Sequence, residues 1–142
     1  MRMMRITSLM KKHTVSSGDS LDGHGGMLSD NSVVRVLERL TRGSPPSATV
    51  ILDLGSGCGR LSVAAYFLQF ARGITCVEIS SNLIMETSGL MSAFLKWESS
   101  RDPSLVKTFP PAVMVHCTDA YYYTPGELGE EPPTHVYCFA AA

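Results

Sequence analysis

The sequence lacks three patterns, each of which would assign a chain of 142 residues to a class at once. No apolar run approaches the roughly 18 residues of a membrane-spanning helix, so we expect no membrane segment. No pair among the four cysteines has the C-x-x-C spacing of a zinc ribbon or a thioredoxin-like site, and we expect no bound metal. The first 18 residues contain no acid, and they lack the apolar core of a secretory signal. These absences favour one globular domain of ordinary composition.

Positive charge is concentrated in residues 1–18, which carry Arg2, Arg5, Lys11 and Lys12. We interpret this segment as a basic, disordered tail; a transit peptide is the alternative. The whole chain has 12 basic and 13 acidic residues, so the remainder is acidic by five charges. An acidic remainder argues against a DNA-wrapping surface, while direct contact with nucleic acid stays open.

Three cysteines, Cys76, Cys117 and Cys138, lie inside apolar stretches. Cysteine in such a stretch behaves as a small buried hydrophobe. We therefore expect buried thiols and, by default, a reducing intracellular compartment such as the cytoplasm.

Apolar stretches alternate with segments of helical spacing through most of the chain. Helices are predicted at residues 32–40, from Gly59 to about residue 72 with Gly73 closing it, and from about residue 80 onwards. Strands are predicted at residues 49–54, 74–79, 112–118 and 134–139. Such alternation predicts an α/β fold with a parallel sheet and right-handed crossovers.

The stretch from Val50 to Arg60 reads as a buried strand, a tight turn and the start of a helix. Its glycines, Gly55, Gly57 and Gly59, follow the spacing G-x-G-x-G. A dinucleotide site requires G-x-G-x-x-G, and Arg60 stands where its third glycine would be. Backbone amides at such a helix start face a polar ligand. With Asp53 two residues before the first glycine, the pattern resembles motif I of the class I S-adenosylmethionine-dependent methyltransferases.

Three acids fall at or just beyond the predicted strand ends, where open α/β sheets bind their ligands. The resemblance implies a role for each toward S-adenosyl-L-methionine. Asp53 would orient the glycine turn and accept hydrogen bonds from the ammonium group, and Glu78 would accept from the two ribose hydroxyls. Asp119 would accept from the adenine amino group. The predicted cofactor-binding residues are Asp53, Gly55, Ser56, Gly57, Glu78 and Asp119.

A narrower resemblance concerns the histone H3 lysine methyltransferases of the disruptor-of-telomeric-silencing type. Residues 53–57 match that family's Asp-Leu-Gly-Ser-Gly run in full, and Val77-Glu78 is similar to its ribose-binding pair. The loop at residues 24–29 and the aromatic, basic helix end at residues 94–97 resemble its flanking elements. The resemblance implies a protein-lysine N-methyltransferase that acts on histone H3 in the nucleosome, a role in chromatin regulation and a nuclear location.

The chain also departs from that family. His24 and Gly26 stand where it has tyrosine and glutamate, and Phe139 with three alanines stands where it has an Asn-Asn-Phe-type segment. No catalytic residue or target-lysine channel is assigned. The resemblance implies the N-terminal half of a Rossmann-like methyltransferase domain, with a loop and helix at residues 19–43 and a cofactor-binding core at 49–142. The alternatives are a non-catalytic cofactor-binding module and a methyltransferase that acts on RNA or a small molecule.

Overall fold

The fold is that of a computed structural model, which describes residues 30–101, 112–127 and 129–138. The predicted basic tail, His24, Gly26 and the chain from Phe139 onwards lie outside these residues. None of the helices in the described ranges is both long and apolar enough to cross a membrane.

The described residues form one sheet of four strands, all of them parallel. The strands are β1 (Val50–Leu54), β2 (Gly73–Glu78), β3 (Ala112–Cys117) and β4 (His135–Cys138). Their order is β3-β2-β1-β4, so the chain moves outward from β1 to β3 and then returns to the other side of β1. This arrangement confirms the predicted Rossmann-like α/β fold. Ligand sites in such sheets lie beyond the carboxyl ends of the strands, at the reversal of strand order beside β1.

Three α-helices accompany the sheet in the described part of the chain: α1 (Asp30–Leu40), α2 (Arg60–Phe67) and α3 (Ser81–Arg101). The core joins buried side chains of all three helices to alternate residues of the strands, which therefore share one face of the sheet. In register, one row of that face holds Val113, Ile74, Ile51 and His135, and the next row holds Val115, Cys76, Asp53 and Tyr137. An acid thus occupies a core row.

The helix α2 ends at Phe67, so the prediction that it continues to about residue 72 is wrong. Gln69 takes the left-handed conformation with φ of 59°. The Phe70 N–H donates to the Ala65 carbonyl (3.0 Å) and the Gln69 N–H to the Tyr66 carbonyl (3.2 Å), which together form a Schellman motif. Glycine usually takes this position, so a glutamine gives no sequence signal of a helix end. Gly73 is the first residue of β2 and does not cap the helix.

The prediction of buried strand cysteines is right for Cys76 and wrong for Cys117 and Cys138, which are exposed. The two exposed cysteines are the last residues of β3 and β4. Cys138 lies on the face of β4 opposite the helix layer, as does the exposed Val136, so an apolar strand sequence does not guarantee burial on both faces.

The opposite face of the sheet is covered in part by the segment between β3 and β4. The Tyr123 hydroxyl donates to Glu130 Oε1 (2.6 Å), and the Tyr123 ring lies 5.3 Å from the His116 ring, centroid to centroid. This segment contains a short 3₁₀ turn, Ala120–Tyr122, which places Tyr121 and Tyr122 on the surface.

Phe94 of α3 is the side chain that we expect to contribute most to the stability of packing between the helices. It is 0% exposed, and its ring centroid lies 4.5 Å from that of Phe67. We predict that Phe94→Ala lowers the free energy of unfolding by about 3–5 kcal/mol, because it removes a large buried side chain and leaves a cavity. Urea unfolding followed by circular dichroism measures the change. Leu95→Ala is the matched control: Leu95 is 45% exposed, and an equal loss there would contradict the packing described.

Candidate functional site

The loop between β1 and α2 owes its shape to three glycines. Gly55, Gly57 and Gly59 have φ angles of 70°, 58° and 79°, all in the left-handed region. Residues with a Cβ are strained there, so the alternate spacing of the glycines is what the backbone requires. We call residues 55–59 the glycine loop.

The glycine loop is fastened to the end of β2 by its own amides. The N–H groups of Gly55 and Ser56 both donate to the Val77 carbonyl, at 2.8 and 3.1 Å. The next residue, Gly57, donates its N–H to Glu78 Oε2 at 2.8 Å. Three loop residues are therefore held by two consecutive residues of the neighbouring strand.

Glu78 is a buried acid, 8% exposed, at the last position of β2. Its second oxygen, Oε1, accepts from the Ser80 N–H at 3.1 Å. Each carboxylate oxygen can accept two hydrogen bonds, so both oxygens keep capacity for a further donor. The two backbone bonds fix the carboxylate plane beside the loop.

Asp53 lies behind the glycine loop in the core of the protein, and its side chain is 2% exposed. Its Oδ2 accepts from the Ser62 hydroxyl of α2 at 2.8 Å. Burial raises the pKa of Asp53 from 3.8 to about 7, and the nearby charge of Glu78 adds to the rise while Ser62 opposes it. Asp53 thus fixes the first turn of the helix that follows the loop, and near neutral pH a fraction of it is protonated.

Asp119 lies at the same edge of the sheet, just beyond β3. Its Oδ1 accepts from the Tyr121 N–H at 2.9 Å and so caps the 3₁₀ turn. The preceding residue, Thr118, donates its N–H to the Glu78 carbonyl at 3.0 Å, which ties the end of β3 to the end of β2. The three predicted acids therefore belong to three neighbouring strand ends, with Asp119 the least buried of them.

Two observations bear on the predicted binding of a ligand at the loop. The Ser56 Oγ is buried and finds no hydrogen-bond partner among the described residues; it lies near the Cys76 thiol, a weak partner. A Cβ added at Gly55 or Gly57 would meet no described atom within 4 Å. Within the described residues, a hydroxyl with only a weak partner and free space beside two glycines are compatible with a polar molecule that approaches the backbone closely.

Sequence reasoning missed two residues that contact the site. Ser62 is a hydroxyl within an apolar helix, directly after the glycine turn, and that contrast could have indicated its role. Thr87 of α3 contacts the loop from a distant part of the sequence, and no local pattern marks it. The described residues contain no group of three His, Cys, Asp or Glu side chains that could hold a metal ion.

No protein-family model matches this sequence, and no curated protein matches it significantly. The interpretation of the site therefore depends on its own residues and geometry.

The buried position of Asp53 makes a pH dependence of stability testable. Its pKa in the folded protein, about 7, is higher than the ordinary value of 3.8, so the folded state holds the proton more tightly than the unfolded state. We expect Asp53 to lower the free energy of unfolding progressively as pH rises from about 4 to 8, by up to roughly 4 kcal/mol, with no further change above that pH. Asp53→Asn removes the titrating group and keeps an oxygen for Ser62.

Urea unfolding at a series of pH values measures this effect as the difference between wild type and Asp53→Asn. The difference between the two proteins should change between pH 4 and 8 and become constant above pH 8. Asp119→Asn, the same substitution at an acid outside the core, is the control. Parallel pH profiles for wild type and Asp53→Asn would show that Asp53 does not titrate as described.

Proposed function

We propose that this protein is an S-adenosylmethionine-dependent methyltransferase whose cofactor site is built on the glycine loop. The observation that carries the proposal is the buried Glu78 carboxylate, held beside a loop of three left-handed glycines at the carboxyl ends of β1 and β2. A ligand with both a diol and a charged end suits this combination, because the carboxylate accepts paired hydroxyls and the loop lets a ligand approach the backbone.

Each residue that would hold the cofactor would contact a different part of it, according to its position in the site. Glu78 would accept from the two ribose hydroxyls, since each of its oxygens already has one backbone donor and room for another. Gly55, Ser56 and Gly57 would contact the cofactor across the loop, with the Ser56 hydroxyl gaining a partner. Asp53 in its ionised form would attract the positively charged end, and Asp119 would accept from the adenine amino group.

When bound, S-adenosylmethionine supplies a methyl group made electrophilic by its positively charged sulfonium. The protein's part in such a reaction is to align a neutral acceptor and to exclude water, and it needs no strong base. The described residues therefore contribute binding and orientation, and no residue is assigned as catalytic.

For the acceptor we propose a lysine of histone H3 in the nucleosome, and with it a nuclear location. The support is the full match of residues 53–57 to the Asp-Leu-Gly-Ser-Gly run of the non-SET histone lysine methyltransferases, together with Val77-Glu78. In the structure these two segments are joined, because Gly55 and Ser56 donate to the Val77 carbonyl and Gly57 donates to Glu78.

The cofactor assignment is tested by titration calorimetry with S-adenosylmethionine. We predict that Glu78→Gln weakens binding by about tenfold or more, because the amide keeps only one acceptor oxygen and turns its NH₂ toward a backbone N–H. Glu38→Gln, the same substitution at an exposed position of α1, should leave the dissociation constant unchanged. No binding by wild type, or equal binding by both variants, would refute the assignment.

The acceptor is tested with S-adenosylmethionine that carries a radiolabelled methyl group. Nucleosomes, free histones and RNA are incubated separately with the protein, and we predict that label enters histone H3 in nucleosomes. Label in RNA alone would show that the acceptor is wrong although the reaction class is right. Cofactor binding without transfer to any of these acceptors would favour a non-catalytic cofactor-binding module.

A further inference from the structure

Thr87 of α3 contacts the glycine loop at two of its residues. It is 1% exposed, although it belongs to a helix with several exposed neighbours. Its hydroxyl donates to the Leu83 carbonyl of its own helix at 3.0 Å and lies 3.4 Å from the Gly57 carbonyl oxygen. A hydroxyl has one proton, so the two carbonyls share it, with Leu83 the closer.

The second contact is one of packing. A Cβ built on Gly59 would lie 2.4 Å from Thr87 Cγ2 and 2.7 Å from Thr87 Oγ1, both far too short for non-bonded atoms. The side chain of Thr87 therefore occupies the place where any other residue at position 59 would put its Cβ. Two features therefore require glycine at position 59: its left-handed φ of 79° and the close approach of α3.

Gly57 is consequently held from both sides of its backbone. Its N–H donates to Glu78 Oε2 at 2.8 Å, and its carbonyl oxygen faces the Thr87 hydroxyl at 3.4 Å. Glu78 is the last residue of β2 and Thr87 lies in the second turn of α3. The turn between β1 and α2 is therefore contacted on both sides by consecutive elements, β2 and α3. The carbonyl contact limits rotation of the peptide that follows Gly57, and the Glu78 contact limits the one before it.

We propose that Thr87 is a positioning residue of the glycine loop, which holds the loop backbone in its observed conformation beside Glu78 through Gly57 and Gly59. It acts through its contacts with Gly57 and Gly59, and for its ligand the inference rests on the proposed binding of S-adenosylmethionine. The part played by its hydroxyl is separable from its packing, because valine has nearly the same shape and no hydrogen-bond donor.

The test compares Thr87→Val and Thr87→Ser with wild type in three measurements: the dissociation constant for S-adenosylmethionine, hydrogen exchange of the loop amides and the urea midpoint. Thr87→Val removes the shared hydrogen bond. It should raise the dissociation constant and the rate of loop-amide exchange by roughly 2- to 10-fold, with little shift of the urea midpoint. Thr87→Ser keeps the donor and should restore both. Ser88→Ala removes an exposed hydroxyl one residue along α3 and should change none of them.

The outcomes separate this inference from the proposed function. Unchanged loop exchange in Thr87→Val would overturn the positioning role, whether or not the cofactor binds. If wild type binds S-adenosylmethionine, an unchanged dissociation constant would overturn it as well, and a lower urea midpoint alone would show a purely structural residue. If wild type does not bind the cofactor, the proposed function fails, and faster loop exchange in Thr87→Val that serine reverses would still support the positioning role.

Discussion

The candidate site depends on one interaction, the hydrogen bond from the Gly57 N–H to the buried Glu78 carboxylate. Glycine loses more conformational freedom on folding than any other residue, so a turn with three left-handed glycines is costly to order. The carboxylate offsets part of that cost, and its second oxygen is fixed by the Ser80 N–H. The same contacts that make the loop rigid also aim an acid at the space beside it. Order in the loop and the proposed recognition of a ligand would therefore have a common origin.

Asp53, in contrast to Glu78, lowers the stability of the fold near neutral pH, because its carboxyl group is buried in the core. It occupies a core row between Cys76 and Tyr137, in a position equivalent to that of Ile51 one row earlier. An apolar residue there would avoid the penalty that burial places on the ionised carboxyl. Groups held at such a penalty, with strongly raised pKa values, are typical of functional sites. The Ser62 hydroxyl lowers the penalty and does not remove it.

The sequence predicted the strands to within about one residue, because apolar runs bounded by glycine and proline leave little freedom in where a buried strand lies. It also predicted that three acids stand at strand ends, which a parallel sheet brings to one edge; the order that makes the three strands neighbours comes from the structure. It could not predict the end of α2, since Gln69 takes a conformation usually left to glycine. The exposure of Cys117 and the contact of Thr87 with Gly59 depend on which elements lie against them, and no local pattern encodes that.

The described contacts of the glycine loop with other side chains come from β2 and α3, and the acid behind the loop is held by α2. The segment from Asp53 to Thr87 thus contains the loop together with these supports, while the connection between β3 and β4 lies against the opposite face of the sheet around His116. This division has a physical consequence. The proposed contacts at the loop and the ribose come from groups that are close in sequence and hydrogen-bonded to one another, whereas the proposed adenine contact depends on Asp119, at the start of the connection between β3 and β4.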